Sequence, residues 1–270
     1  MQPPRKLFAH LLFFIMYTIS TSAYNLFYIS SFSSVVGPSF KKLIGGSLNS
    51  SRSKFVYIPT AGYAFDPSSP RSKGEQRRRS RYDARQKMGL IASQLSLSES
   101  LLLELDAPTM TPSLLLNSLD DAKLIYVDGG NTFYLQKYIL QTGFWESVKS
   151  ALGSGAVYIG ASAGAIVAGR SIETAYWKGW DNPAAAEGMV WTQQSLEGSN
   201  LSGRGVSYFM HHDPALHSDL LAEKIPSLGH PVETVANNEV LCTSFAGGET
   251  VCTRFTFTDS VADISASTMI

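Results

Sequence analysis

The chain has few cysteines, no excess of either charge and no internal repeat. Its 22 basic and 22 acidic residues give a formal net charge of zero, so the global charge predicts neither nucleic acid nor a strongly anionic molecule as a partner. The two cysteines, Cys242 and Cys252, form no CxxC pair, and no HExxH motif is present. His211, His212 and His217 would permit a zinc interpretation, but a zinc site would need a third or fourth ligand in matched geometry. The sequence therefore predicts neither a metal site nor a cofactor.

The first 23 residues are predicted to be a targeting segment. Arg5 and Lys6 precede the apolar run Leu7–Ile19, and Thr21-Ser22-Ala23 has the small residues that a signal peptidase recognises. We expect a signal peptide cleaved after Ala23, which would leave a secretory or secreted protein with no stable membrane insertion. An uncleaved membrane anchor or an organellar address is the alternative. Residues 24–270 are expected to form a single domain, because a hydrophobic content of 44% is enough for one large core.

Short apolar runs alternate with helical patterns along the chain. This alternation predicts an α/β fold in which helices flank a doubly wound, mostly parallel sheet. The last two runs are expected to form a C-terminal hairpin around Ala246-Gly247-Gly248-Glu249, and a disulfide between the flanking Cys242 and Cys252 is a hypothesis tied to secretion. The predicted strands are Leu26–Ile29, Phe55–Ile58, Leu101–Leu105, Lys123–Val127, Ala156–Ile159, Val206–Met210, Val240–Phe245 and Thr250–Phe257.

A basic segment rich in proline, serine and arginine follows the second predicted strand. Residues Tyr63–Tyr82 are predicted to be a long loop at the carboxyl end of that strand, where open α/β sheets bind ligands. Two interpretations stay open for this loop, a mobile lid and a surface insertion. Its arginines are expected to be solvated, with an acidic partner or substrate as the alternative.

The stretch Val157–Gly169 has the sequence VYIGASAGAIVAG, in which a G-x-S-x-G motif joins an apolar strand to a buried helix. In such a nucleophile elbow, small residues flank a serine that is held in a strained backbone conformation. The helix N-terminus that follows favours a developing oxyanion. The same residues are also compatible with a Ser162 that only caps the helix, and the pentapeptide alone leaves both interpretations open.

Two further groups of residues follow the ends of predicted strands. The turn Asp128-Gly129-Gly130-Asn131-Thr132 leads into a helix and is expected at the same sheet edge as the elbow. Asn131 is expected either to cap that helix or to contact a substrate. His211 and His212 end a later strand, and a histidine there would supply the base that a serine nucleophile needs.

The two glycine motifs together, Tyr126–Thr132 (YVDGGNT) and Tyr158–Gly169 (YIGASAGAIVAG), resemble the paired signature of the serine peptidases typified by dipeptidase E and cyanophycinase. The similarity runs from about Leu26 to about Phe257. It implies a flavodoxin-like fold related to the class I glutamine amidotransferases, with serine in place of their cysteine. It also implies an exopeptidase acting on N-terminal aspartyl dipeptides, or an enzyme that cuts aspartyl bonds in a related polymer.

The resemblance assigns the nucleophile and the base. Ser162 matches the family's nucleophile, and His211 matches its histidine. Met210 and His212 stand where the family typically has a proline and an aromatic residue, so His212 is the alternative base.

The resemblance also implies an acidic residue shortly after the serine and an oxyanion hole. Asp181, in a tryptophan-rich segment, is preferred as the acid, with Glu173 as the alternative. The backbone N–H groups of Gly130 and Ala163, beside Gly129, would receive the oxyanion.

Together these residues predict a hydrolase with a Ser-His-Asp/Glu triad that cleaves amide bonds after aspartyl residues through an acyl-enzyme, with a small peptide as substrate. Aspartyl specificity needs a cation near the pocket, which the basic segment Arg71–Arg85 could supply.

An α/β-hydrolase esterase is one alternative, because its triad has the same chain order, although no HGGG-type motif precedes the elbow. A catalytically inactive secreted binding protein of the same fold is the other. The sequence predicts no oligomeric state.

Overall fold

The computed structural model describes residues 25–32, 38–45, 48, 53–246, 249–257 and 264–269. The expected targeting segment, residues 1–23, lies outside these residues. Within the described ranges, no helix is both long and apolar enough to cross a membrane.

A large sheet forms the centre of the fold. The described residues form the strands β1 (Asn25–Ile29), β2 (Lys54–Ile58), β3 (Glu99–Leu102), β4 (Ala122–Val127), β5 (Val157–Ala161), β6 (Ser207–Met210), β7 (Val232–Val235), β8 (Glu239–Ala246), β9 (Glu249–Phe257) and β10 (Ile264–Met269). Eight of them make one sheet in the order β10-β9-β8-β1-β5-β4-β2-β3. The strands from β1 to β3 in this order are parallel, and β8, β9 and β10 extend the sheet in antiparallel fashion. The predicted α/β fold with a C-terminal hairpin is confirmed.

Helices cover both faces of this sheet. They are α1 (Pro38–Gly45), α2 (Lys73–Leu95), α3 (Pro112–Leu119), α4 (Thr132–Thr142), α5 (Phe144–Gly153), α6 (Ala163–Ile166), α7 (Thr174–Trp177), α8 (Gln193–Leu196) and α9 (Pro214–Leu228), with 3₁₀ turns at Thr60–Tyr63 and Pro183–Ala185. One apolar core includes Phe40 of α1 and Ile91 of α2, and the other includes Leu115 of α3 and Val148 of α5. The central parallel strands β1, β5, β4 and β2 are buried on both faces, which explains their nearly continuous apolar sequences, whereas the edge strand β3 is partly exposed.

The strand that leads to the histidines does not join the main sheet. β6 pairs in parallel with β7, a strand that the sequence did not predict, and α9 connects the two. Ser30, just after β1, links this small sheet to the large one. Its hydroxyl donates to the Val235 carbonyl at 2.8 Å and accepts from the His211 backbone N–H at 2.8 Å. The histidines therefore reach the edge of the main sheet from a second, two-stranded sheet.

The prediction of a loop over Tyr63–Tyr82 is wrong from Lys73 onward, where α2 begins. Ser72 and Glu75 form a capping box at its N-terminus, and the arginine and glutamine residues that follow are good helix formers. Arg77 and Arg81 pair with Glu104, and Arg77 also pairs with Asp106. These basic residues belong to a capped helix rather than to a mobile lid.

The hypothesis of a disulfide is also wrong. Cys242 is opposite Thr253 in the β8–β9 pair, and Cys252 is opposite Thr243. This offset of one residue directs the two thiols to opposite faces of the sheet, since side chains alternate along a strand. Both cysteines are free and buried, each in a different core. Gly247 and Gly248 of the expected turn lie outside the described residues, but pairing continues to Ala246 and Glu249.

Candidate active site

Ser162 lies on the sharp turn between β5 and α6. Its backbone has φ 49° and ψ −110°, a conformation that costs a non-glycine residue energy and persists only where the surroundings enforce it. The Ser162 N–H donates to the Ile29 carbonyl of β1 at 2.8 Å, which fixes the turn to the sheet. Its side chain makes no capping hydrogen bond to α6, so the interpretation of Ser162 as a helix cap is wrong.

The two glycines of the motif permit a very close approach of strand and helix. A Cβ atom on Gly160 would lie 2.6 Å from the Gly164 carbonyl oxygen, and a Cβ on Gly164 would lie 2.2 Å from the Val127 carbonyl oxygen. Both distances are far below van der Waals contact. Larger residues here would push α6 away from β4 and β5, and Ser162 would move with it.

His211 contacts the Ser162 hydroxyl. Its Nε2 atom lies 2.9 Å from Ser162 Oγ, which is hydrogen-bonding distance. The His211 backbone has φ 55°, so the residue turns sharply at the end of β6. The Trp180 ring lies beside the imidazole, with 5.9 Å between ring centroids. His212, the alternative base, has its ring packed against Phe209 and His217, whereas the Ser162 hydroxyl contacts His211.

The second ring nitrogen of His211 contacts an amide and not a carboxylate. The distance from His211 Nδ1 to Asn237 Oδ1 is 2.8 Å. Asp181, expected at this position, instead accepts a hydrogen bond from the Thr132 backbone N–H at 3.0 Å. Glu173, the alternative, accepts from the Ser171 hydroxyl at 3.1 Å. Asn237 follows β7, and because that strand has no apolar pattern, the sequence carries no signal for the residue.

The glycine turn after β4 lies against the serine. A Cβ on Gly129 would be 3.0 Å from Ser162 Cβ, and Gly130 has φ +137°, a conformation that L side chains rarely adopt. The Gly129 N–H is occupied by the Asp128 carboxylate at 2.8 Å. Among the described residues, no hydrogen-bond acceptor for the N–H groups of Gly130 and Ala163 is found. These two donors therefore remain for a ligand.

Asn131 caps α4, as one of its two interpretations predicted. Its Oδ1 atom accepts from the Tyr134 N–H at 2.8 Å, and its Nδ2 atom donates to the Asn182 carbonyl at 3.0 Å. This second bond ties the glycine turn to the segment that carries Asp181. Asn182 in turn lines a cavity of about 350 Å³, together with Tyr63, Phe65, Lys73, Tyr134, Lys137 and other residues.

The charges of a lysine and an aspartate, Lys178 and Asp181, act on the imidazole of His211. Lys178 Nζ donates to the Met210 carbonyl at 2.5 Å and lies 4.0 Å from the centre of the Trp180 ring. Burial lowers the pKa of Lys178 to about 8, with the charge of Asp181 acting in the opposite direction. Burial raises the pKa of Asp181, although the hydrogen bond from Thr132 and the charge of Lys178 oppose this effect.

The same surroundings affect His211. Burial lowers its pKa, and the positive charge of Lys178 adds to this effect. The hydrogen bond with Asn237 and the charge of Asp181 act in the opposite direction. The net lowering favours a neutral imidazole at neutral pH, which is the form able to accept a proton.

The described residues contain no group of three or more histidine, cysteine, aspartate or glutamate side chains placed to hold a metal ion. Of the histidines considered for a metal site, His217 accepts a hydrogen bond from the Asp213 N–H at 2.9 Å through Nδ1.

Known proteins resemble this chain in sequence. The profile of peptidase family S51 matches residues 29–197, which include Ser162 but not His211. An uncharacterized peptidase of Listeria innocua is 31% identical over 166 residues, which cover 62% of this chain and 68% of that protein. Peptidase E of Streptomyces coelicolor is 41% identical over 56 residues, which cover 21% of this chain and 23% of that protein.

Solved structures share the fold. A candidate peptidase E of Listeria monocytogenes superposes with a TM-score of 0.57 at 23% identity, over 84% of this chain and 96% of that one. A peptidase from an acI-B1 actinobacterium gives a TM-score of 0.57 at 18% identity, over 89% of this chain and 91% of that one. At these identities the likeness concerns the fold alone.

Proposed function

Because the chain belongs to peptidase family S51, we propose that it is a serine peptidase in which Ser162 is the nucleophile and His211 the base. The observation that carries the proposal is the 2.9 Å contact between Ser162 Oγ and His211 Nε2 on a strained elbow. A serine hydroxyl becomes nucleophilic when an adjacent base accepts its proton. This contact also favours an active enzyme over an inactive binding protein, and the family favours a peptidase over an esterase.

The reaction proceeds in two halves. His211 Nε2 takes the Ser162 proton as Oγ forms a bond to the scissile carbonyl carbon, and the carbonyl oxygen becomes an oxyanion facing the N–H groups of Gly130 and Ala163. The proton then passes from Nε2 to the amide nitrogen, the C–N bond breaks, and the amine leaves. In the second half, His211 Nε2 takes a proton from water as the water oxygen forms a bond to the acyl carbon. The ester C–O bond to Ser162 Oγ then breaks, Oγ takes the proton from Nε2, and the acyl group leaves as a carboxylic acid.

We further propose that the bond cleaved follows an aspartyl residue in a small peptide. The basic residues on α2 that were expected to recognise the aspartate include Arg77 and Arg81, which already pair with Glu104. The positive charge of Lys178 acts on His211, and its ammonium group uses one of three N–H donors on the Met210 carbonyl. A substrate carboxylate would accept from the others. The negative charge of Asp181 would attract a positive group, such as the α-ammonium of an N-terminal residue.

Secretion after cleavage behind Ala23 is part of the proposal. The first described strand begins at Asn25, so cleavage there would remove no element of the described fold. Sequencing the N-terminus of the protein recovered from the secretory pathway tests this. A start at Tyr24 supports it, and a retained Met1 contradicts it.

The serine is tested with aspartyl p-nitroanilide as substrate. We expect Ser162→Ala to abolish hydrolysis while its melting temperature stays within a few degrees of wild type, because the side chain makes no structural hydrogen bond apart from that to His211. Ser154→Ala, a change at an exposed serine at the end of α5, is the matched control and should keep full activity. Retained turnover in the Ser162→Ala protein would reject the proposal.

A further inference from the structure

His211 is held from both sides of its ring, and the residue at the far side is Asn237. Ser162 Oγ lies 2.9 Å from Nε2, and Asn237 Oδ1 lies 2.8 Å from Nδ1. We infer that Asn237 is a positioning residue, whose amide oxygen holds the Nδ1–H tautomer of His211 and so leaves the Nε2 lone pair directed at Ser162. This inference rests on the proposed function, and it assigns the third position of the triad to a neutral group.

The turn that carries Asn237 is fixed on both sides. The Ala236 N–H donates to Glu239 Oε2 at 2.8 Å, and that carboxylate also pairs with Arg254 of β9. On the other side, the Phe257 N–H donates to the Asn238 carbonyl at 2.8 Å. The Asn237 side chain is exposed, so the fixed turn, and not burial, must hold it against the ring.

An amide and a carboxylate differ in one respect at this position. An imidazole nitrogen that donates to a fixed oxygen keeps its proton there, so either group selects the same tautomer. A carboxylate also stabilises the imidazolium by its negative charge, and an amide does not. With a neutral amide at this position, the imidazolium that forms when His211 Nε2 takes the Ser162 proton is less stabilised than it would be beside a carboxylate. His211 therefore passes this proton readily to the leaving amine. Cysteine peptidases with a Cys-His-Asn triad use the same type of residue.

The charged groups that face His211 are few. Lys178 and Asp181, both in the segment that follows α7, act on it with opposite signs. Replacing Asn237 by aspartate would add a negative charge in direct contact with the ring. An opposite charge at such a distance raises the pKa of a histidine by about 1–3 units.

The test compares pH profiles of kcat/KM for wild type, Asn237→Asp and Asn237→Ala. We expect Asn237→Asp to stay active and to move the acid limb upward by about one unit or more. We expect Asn237→Ala to lose roughly 100- to 10,000-fold in kcat/KM, because the tautomer and the ring orientation are no longer fixed. Asn117→Ala, a change at an exposed asparagine of α3, is the control and should keep the wild-type profile.

A second readout does not depend on activity. In ¹⁵N-labelled Ser162→Ala protein, the His211 ring should show a protonated Nδ1 and an unprotonated Nε2, and introducing Asn237→Ala should abolish this preference. If wild type is inactive, the proposed function fails while the NMR result still tests the inference. The inference would be overturned if the acid limb of the Asn237→Asp variant lay at the wild-type pH, or if the His211 tautomer were the same with and without Asn237→Ala.

Discussion

Ser162 and His211 both have positive φ angles, at 49° and 55°. Neither residue is a glycine, so each conformation must be enforced by its surroundings. The Ser162 N–H donates to the carbonyl of Ile29, and the His211 N–H donates to the hydroxyl of Ser30, the residue that follows Ile29. Neighbouring residues at the end of β1 therefore hold both members of the pair, and this explains how two distant parts of the sequence meet within hydrogen-bonding distance.

The proposal requires that the Lys178 ammonium group bind the side-chain carboxylate of the substrate aspartate. We expect Lys178→Met to lower the preference for aspartyl over asparaginyl p-nitroanilide by roughly 10- to 100-fold, the value of a hydrogen bond to a charged group. The ratio of the two kcat/KM values measures this preference. In wild type it should fall as pH rises through about 8, because the ammonium group, whose pKa burial lowers to that value, loses its charge there.

Lys178→Arg is the matched control for that prediction. A guanidinium stays protonated throughout this range, so the variant should keep a preference that does not change with pH. An unaltered ratio in Lys178→Met would show that the aspartate is recognised elsewhere.

At the scale of elements, the elbow depends on contact between the backbones of β4, β5 and α6. Gly164→Ala would place a methyl group 2.2 Å from the Val127 carbonyl oxygen. We expect the free energy of unfolding to fall by about 1–3 kcal/mol, as in other overpacked sites, and activity to be lost because α6 moves with Ser162. Chemical denaturation and turnover together measure the effect.

Gly89→Ala is the control for the elbow variant. Gly89 lies in α2, and a Cβ atom on it would have no neighbouring atom within 4 Å. Alanine there should therefore raise the free energy of unfolding by about 0.4–1 kcal/mol and leave activity unchanged. Equal stability and activity in both variants would contradict the account of the elbow.

The same elements show what the sequence could predict. Apolar runs such as Lys123–Val127 are buried on both faces, and for that reason their pattern is sufficient to place β4. The motif around Ser162 places the elbow, because only small residues fit there. The first part of α2 does not resemble a helix in its apolar pattern, since its arginines and serines give no apolar face, and the signal that identifies it is the capping box at Ser72.

At the scale of the whole molecule, the candidate site combines two sheets. Ser162 and the glycine turn belong to the main sheet, whereas His211 and Asn237 come from the ends of β6 and β7. β7 has the sequence VETV, and only Val235 in it is buried, so periodicity could not predict this strand, although it did predict its partner β6. The pairing of β6 with β7 brings the Asn237 amide, and not the Asp181 carboxylate, to His211 Nδ1. The local sequence around Asn237 does not indicate this contact.

The central claim is that Ser162 is a nucleophile activated by His211, and covalent labelling tests it most directly. The full chain is incubated with diisopropyl fluorophosphate, and the modified peptide is identified by mass spectrometry. We predict a single adduct on Ser162 in wild type, none in Ser162→Ala, and labelling slowed by roughly 100-fold or more in His211→Ala. An adduct on another residue, or an equal rate of labelling without the imidazole, would contradict the account.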